Sequence, residues 1–229
     1  MQRRDIFTVG GGAAALTTIA LAGTPQAQQP PPLDLVPKRA ANRHAMTEKV
    51  RAHVPRSPPV FGPRVVEYAT LAIGKGEQGG DNAGPFVDWI SQTPPSITPA
   101  WCGAFVSACW FFAAWSLQKT PPIQTWRYGA DGGFDPELWV PNLAANAKRA
   151  GLFVDGKFGN VARVVPGSFL LVRSADKVQW SHTEIVERVE GEFVHAIGGN
   201  IGAKTSTTGL DWVARVRRSI YTCDYGIAN

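Results

Sequence analysis

The segment from Trp101 to Leu117 carries no charged side chain and only Ser107 and Ser116 among its polar ones. It is too long for one strand, and its apolar residues fall on every side of a helical wheel. A helix of that kind has no face to offer water, so it must be buried, and the rest of the chain must wrap around it. The sequence can supply that wrapping. It has 229 residues, 44% of them apolar, with eight Trp, eleven Phe and four Tyr, far more large apolar surface than a disordered chain carries. No internal repeat is visible, which excludes a solenoid.

The amino-terminal third has a different character. Arg3 and Arg4 precede Asp5-Ile6-Phe7 and an uncharged run from Thr8 to Ala22 rich in Gly, Ala, Leu and Thr. The run is short and small-sided for a membrane span, which needs about 20 strongly apolar residues. It reads as an export signal of twin-arginine type over residues 1–27, with cleavage between Ala22 and Ala27, and no stable membrane anchor is expected. The expected destination is periplasmic or extracellular. Between Gln28 and Pro63 fall eight of the 18 prolines, which remove backbone donors and block helix, so residues 28–62 read as a linker with one short helix from Ala45 to His53. Residues 63–229 then form a single catalytic domain.

Within that domain the periodicity changes once. Val65 to Ala72, Phe86 to Ser91, Trp101 to Leu117 and Pro141 to Ala150 have helical spacing, and Gly151 is placed to cap the last. Pro121 to Pro136 reads as loop. Beyond Gly159 the pattern alternates, with strands expected at Phe169–Val172, Thr183–Val189, Phe193–Ile197 and Trp212–Ile220 and a hairpin turn at Glu190-Gly191. Helices followed by an antiparallel sheet define an α+β fold.

Chemistry narrows to a few side chains. Of three cysteines, Cys102 opens the buried helix, where unpaired amide groups and the positive end of the helix dipole favour a thiolate. Backbone amides at the same helix start could hold an oxyanion, and Gly103 would admit a substrate carbonyl. An odd cysteine count in an exported chain leaves Cys109 and Cys223 available to pair as a disulfide. A thiolate needs a base. His44 and His53 lie in the proline-rich segment as solvated residues and His195 lies within a strand, leaving His182 at the head of a strand. An orienting acceptor for its ring comes from Glu184 or Asn200. Two positions along one strand separate residues by about 7 Å, which favours Asn200 on the adjacent strand. Trp101, Trp126, Tyr128 and Trp180 are candidates to line a groove, with Asn82 in the Gly-rich loop before them. His182-x-Glu184 with His195 lacks any H-E-x-x-H or C-x-x-C spacing, so no metal and no cofactor is expected. A net charge of +5 is scattered rather than gathered, which argues against nucleic acid and suits an anionic polymer.

Trp101-Cys102-Gly103-Ala104-Phe105-Val106-Ser107 resembles the nucleophile segment of CHAP and NlpC/P60-type cysteine peptidases and amidases. Gly79 to Gly84 before it, Pro166-Gly167 and His182 at two strand starts, and Gly198-Gly199-Asn200 after them follow the same order over residues 64–221. The resemblance implies a papain-like α+β core and hydrolysis of amide bonds in peptidoglycan or its peptide stems. It makes Cys102 the nucleophile, His182 the general base and Asn200 the polar orienter. It allows an N-acetylmuramoyl-L-alanine amidase or a peptide endopeptidase; a non-catalytic wall-binding module and a thioester acyltransferase are the other readings. The chain departs from the family pattern at Ser168, where Asp is usual, at Glu184, where Gly is frequent, and at Gly198, where many relatives place Glu.

Overall fold

The computed structural model describes residue 53 and residues 55–92, 100–128, 134–157, 159–176, 179–202 and 209–229. The export signal, most of the linker, all but the last residue of the short helix expected from Ala45 to His53, and residues 93–99 lie outside the described residues. Among the described residues four α-helices and eight strands follow in order: α1 (Phe61–Leu71), α2 (Pro85–Ser91), α3 (Cys102–Leu117), β1 (Trp126–Tyr128), β2 (Phe134–Pro136), α4 (Val140–Arg149), β3 (Phe153–Val154), β4 (Phe169–Arg173), β5 (Trp180–Glu190), β6 (Phe193–Ile201), β7 (Trp212–Ser219) and β8 (Cys223–Gly226), with a 3-10 turn at Ile220–Thr222 between the last two. The chain is α+β: β3-β8-β4-β5-β6-β7 form one antiparallel sheet in that spatial order, and β1 pairs with β2 in a small separate ribbon.

The uncharged segment forms the central helix, as its composition requires. In α3 every residue from Cys102 to Ala114 is buried. Ser107, its one hydroxyl within that stretch, satisfies its donor by giving it to the Thr125 carbonyl, and it accepts from the Glu137 amide at 3.2 Å. That contact ties the β1–β2 ribbon to the helix. Trp110 packs edge-on against Phe169 of β4 and donates its indole N–H to the Gly167 carbonyl at 3.1 Å, joining helix to sheet. The helix stops at Gln118, which takes a left-handed φ of 52°.

The sheet separates two apolar clusters. One lies between the helices and the residues Phe169, Leu171, Ile185, Ile197 and Val213; the other gathers Leu170, Val186, Val194, Ala196, Cys223 and Tyr225. Cys109 belongs to the first and Cys223 to the second, and both are free thiols, as is Cys102. The disulfide left open by the cysteine count is therefore not formed, because the sheet stands between its two halves. Strand β8 and the β1–β2 ribbon are further differences from the sequence reading, which ended the strands at Ile220 and treated Pro121 to Pro136 as loop.

The last linker residues are not solvated spacers. His53 Nε2 lies 2.8 Å from Glu67 Oε1, and the backbone amides of Arg56 and Ser57 donate to the same carboxylate at 2.6 and 3.1 Å. The carboxylate fastens this arm to α1. Among the described residues no helix is long and apolar enough to cross a membrane.

Candidate active site

Cys102 occupies the first position of α3, with Trp101 as the N-cap residue. The first helical hydrogen bond runs from the Phe105 amide to the Trp101 carbonyl at 2.9 Å, so the amides between them have no partner within the helix. The cysteine sulfur therefore sits where the helix dipole favours negative charge. Cys102 as a residue is nearly enclosed, at 2% exposure.

The helix start is held from two sides. Trp101 is fully buried and donates its indole N–H to Glu77 Oε1 at 3.0 Å; the Asn82 amide reaches the same oxygen at 3.0 Å, and the Asp211 amide reaches Oε2 at 2.8 Å. One buried carboxylate thus joins the Gly-rich loop, the nucleophile turn and the entry to β7. On the other side Gly199 of β6 lies against the same turn: a Cβ there would stand 2.5 Å from the Trp101 ring and 2.8 Å from Phe105 Cβ. Gly103 has a similar role. A Cβ on it would meet the Leu138 carbonyl oxygen at 2.5 Å, so the space expected to admit a substrate carbonyl is filled by the protein's own backbone.

His182 stands near the start of β5, and its partners are Cys102 and Glu184. Burial alone would lower the imidazole pKa from its ordinary 6.5; hydrogen bonding and charge from Cys102 and then Glu184 outweigh it and push it up to about 9. His182 Nε2 lies 3.3 Å from Glu184 Oε1, with Glu184 completely buried. The contact is at ion-pair distance but outside good hydrogen-bond alignment, since Nε2 is enclosed without a well-directed partner.

The Glu184 carboxylate is itself held. Arg218 of β7 donates from Nε at 3.0 Å and from a terminal nitrogen to the same Oε1 that faces His182. Burial would raise the Glu184 pKa, but His182 and Arg218 together bring it below the ordinary carboxylate value. Gly198 leaves the room: a Cβ there would lie 2.8 Å from Glu184 Cγ. The position at which the resemblance expects a Glu on β6 is thus occupied, in space, by a Glu from β5.

Among the described residues Asn200, the expected orienter, makes no hydrogen bond to His182. Paired register between β5 and β6 runs from Glu190 opposite Phe193 to Ile185 opposite Ile197, and Asn200 then takes a left-handed φ of 62°. Its Oδ1 is buried without a hydrogen-bond partner, as is Glu184 Oε2. The orienting acceptor that the structure places on His182 is Glu184.

The expected groove residues are largely tied up in the fold. Trp101 is a buried anchor, and Trp126 is 3% exposed and packs edge-on against Phe111. Trp180 is half-buried, donates to Asp224 Oδ2 at 2.7 Å and stands edge-on to Phe153. Asn82 holds a left-handed φ of 51° and serves Glu77 through its backbone. A separate apolar cavity of about 370 Å³ lies between α1, α2 and α3, walled by Tyr68, Phe86, Trp89, Phe105, Cys109 and Phe112; none of Cys102, His182 and Glu184 lines it.

Glu77 and Arg218 escaped the sequence reading. Neither sits in a motif, and each acts across more than thirty residues of chain or across a strand, so nothing local marks them. Among the described residues no group of three or more His, Cys, Asp or Glu is arranged to hold a metal ion. Comparison with family models, with curated proteins and with solved structures returns no match to this chain.

Proposed function

We propose that the chain is an exported cysteine hydrolase that cuts amide bonds in peptidoglycan, with Cys102 as nucleophile and His182 as its acid–base partner. The observation that carries this reading is a cysteine at the N-terminus of a buried helix interacting with a histidine whose other partner is a buried carboxylate. The substrate class comes from the resemblance of Trp101 to Ser107, with its ordered companions, to CHAP and NlpC/P60-type enzymes, and a papain-like core belongs to the same proposal. Export to the periplasm or beyond would bring the enzyme to that polymer.

The reaction divides into two acyl transfers. The Cys102 thiolate attacks the amide carbonyl carbon, forming a carbon–sulfur bond while the carbonyl oxygen becomes an oxyanion held by amides of the helix start. Collapse breaks the carbon–nitrogen bond, and the His182 imidazolium gives its proton to the departing amine. Neutral His182 then takes a proton from water, the hydroxide attacks the thioester, and the carboxylate product leaves as the thiolate–imidazolium pair re-forms. Glu184 keeps the ring oriented and supports its positive charge; the charge cycle calls on no other group.

The test is mass spectrometry of muropeptides released from purified peptidoglycan by the mature protein and by Cys102→Ala. Fragments present with the first and absent with the second support the hydrolase, and their masses name the bond. Intact peptidoglycan after incubation with a folded, reduced wild-type protein overturns it.

A further inference from the structure

We propose that Arg218 is a positioning residue for this site, acting through Glu184: from β7 it holds the Glu184 carboxylate against His182, in a seat that Gly198 leaves open on the intervening strand. The inference rests on the cysteine–histidine reading above and extends it to a residue no motif marks.

The geometry is specific. β6 lies between β5 and β7 in the sheet, so Glu184 and Arg218 meet only across a strand. A side chain at position 198 would stand in the way, since even a Cβ would come within 2.8 Å of Glu184 Cγ and 3.1 Å of the Ile201 side chain. Arg218 donates twice to Oε1, the oxygen that is 3.3 Å from His182 Nε2, so one oxygen is shared between the cation that fixes it and the ring it serves. The side chain of Arg218 is one-third exposed while that of Glu184 is fully buried. The guanidinium therefore reaches in from the edge to hold a carboxylate that would otherwise be free to turn or to take up a proton. Among the described residues Cys223 of β8 also interacts with both Glu184 and Arg218, and burial pushes its thiol up to about 11, so it is neutral at neutral pH.

Such a role has a signature distinct from that of a surface ion pair. Glu184 supports the imidazolium and hence the thiolate opposite it. Losing the hold on Glu184 should favour neutral thiol and imidazole over the charged pair, so that thiolate forms only with loss of a proton at higher pH. The acid limb of the Cys102 thiolate should then move upward by about one unit in Arg218→Met, the lower end of the effect of one opposite charge. Arg218→Lys should restore most of the shift. Glu184→Gln should move the limb at least as far, and Arg218→Met should add nothing further in that background.

The measurement is the ultraviolet thiolate absorbance of the full chain minus that of its Cys102→Ala counterpart, followed from acid to alkaline pH, with circular dichroism confirming the fold of each variant. Gly198→Ala provides a second route that keeps both charged partners and crowds Glu184 most closely; it should move the limb in the same direction. A limb unchanged in folded Arg218→Met, or a shift of the same size with and without Glu184, overturns the positioning role. If Arg218→Met does not fold, Gly198→Ala decides: a limb lying at the wild-type pH in the folded variant overturns it. A wild-type Cys102 that titrates as an ordinary isolated thiol overturns the cysteine–histidine reading itself, and the role of Arg218 with it. That outcome is recognised in the wild type alone.

Discussion

His182 and Glu184 are two residues apart on β5 and share a face of that strand, with Nε2 and Oε1 separated by 3.3 Å. The backbone distance between such positions is about 7 Å, yet the glutamate carboxylate comes within reach of the ring. Two features keep it there: Gly198 offers space beside its stem, and Arg218 fixes its oxygen. Asn200, which strand adjacency favours, takes a left-handed φ of 62° and leaves its Oδ1 without a hydrogen-bond partner. A carboxylate in place of a carboxamide also changes the electrostatics, because it favours the charged imidazolium as well as orienting the ring.

The imidazole of His182 should titrate near pH 9 rather than near its ordinary 6.5. Proton NMR of its ring across that interval reads the value directly, and Cys102→Ala should lower it by removing the first of its two supporting partners. Because the folded pKa is raised, this group's contribution to stability is fully present below 6.5 and is lost as pH rises through about 9. A midpoint at 6.5 would sink the assignment of His182 as half of a charged pair.

Glu77→Ala should lower the unfolding free energy by about 3 kcal/mol, since three donors lose one buried acceptor group and charged hydrogen bonds contribute more than neutral ones. The three are the Trp101 indole, the Asn82 amide and the Asp211 amide. Glu77→Gln, which retains one acceptor oxygen, should lose less. Urea denaturation followed by Trp fluorescence gives both values, and a loss below about 1 kcal/mol for Ala would show that the carboxylate is not the joint described.

Two glycine substitutions should part company. Gly103→Ala brings a Cβ within 2.5 Å of the Leu138 carbonyl oxygen and should destabilise the protein by about 1–3 kcal/mol through overpacking. Gly80→Ala meets nothing nearer than the Ala83 Cβ at 3.9 Å and should be within about 0.5 kcal/mol of the wild type. Equal denaturation midpoints for the two variants would contradict the close approach of α3 to Leu138.

Acid should release the arm before α1. Burial would raise the Glu67 pKa, but the Arg56 amide, the Ser57 hydroxyl and His53 lower it from 4.5 to about 2. A depressed carboxylate contributes stability that is present above 4.5 and fades as pH falls through about 2. Hydrogen exchange at Arg56 and Ser57 should therefore quicken across that window, and Glu67→Gln should show fast exchange at both ends of it. Protection that persists in Glu67→Gln at neutral pH would mean that something other than this carboxylate holds the arm.

Local pattern alone determined that Trp101 to Leu117 is a buried helix with Cys102 at its start, that helices precede an antiparallel sheet, and that His182 heads a strand. These follow from periodicity, which is written into consecutive residues and needs no knowledge of what packs against them. Tertiary structure alone decided which acceptor reaches His182, what holds that acceptor, and whether Cys109 could meet Cys223. Each of those depends on strand register, on which side of a sheet a residue faces, and on whether a glycine on an intervening strand leaves room. Strand β8 was missed for a related reason. Four residues, Cys223 to Gly226, are too few to show an alternating pattern, and they become a strand because β3 and β4 supply hydrogen-bonding edges on either side. Long-range pairing of this kind leaves no trace in the spacing of neighbours, so the Cys102 helix was legible in the sequence and the Arg218–Glu184–His182 relay was not.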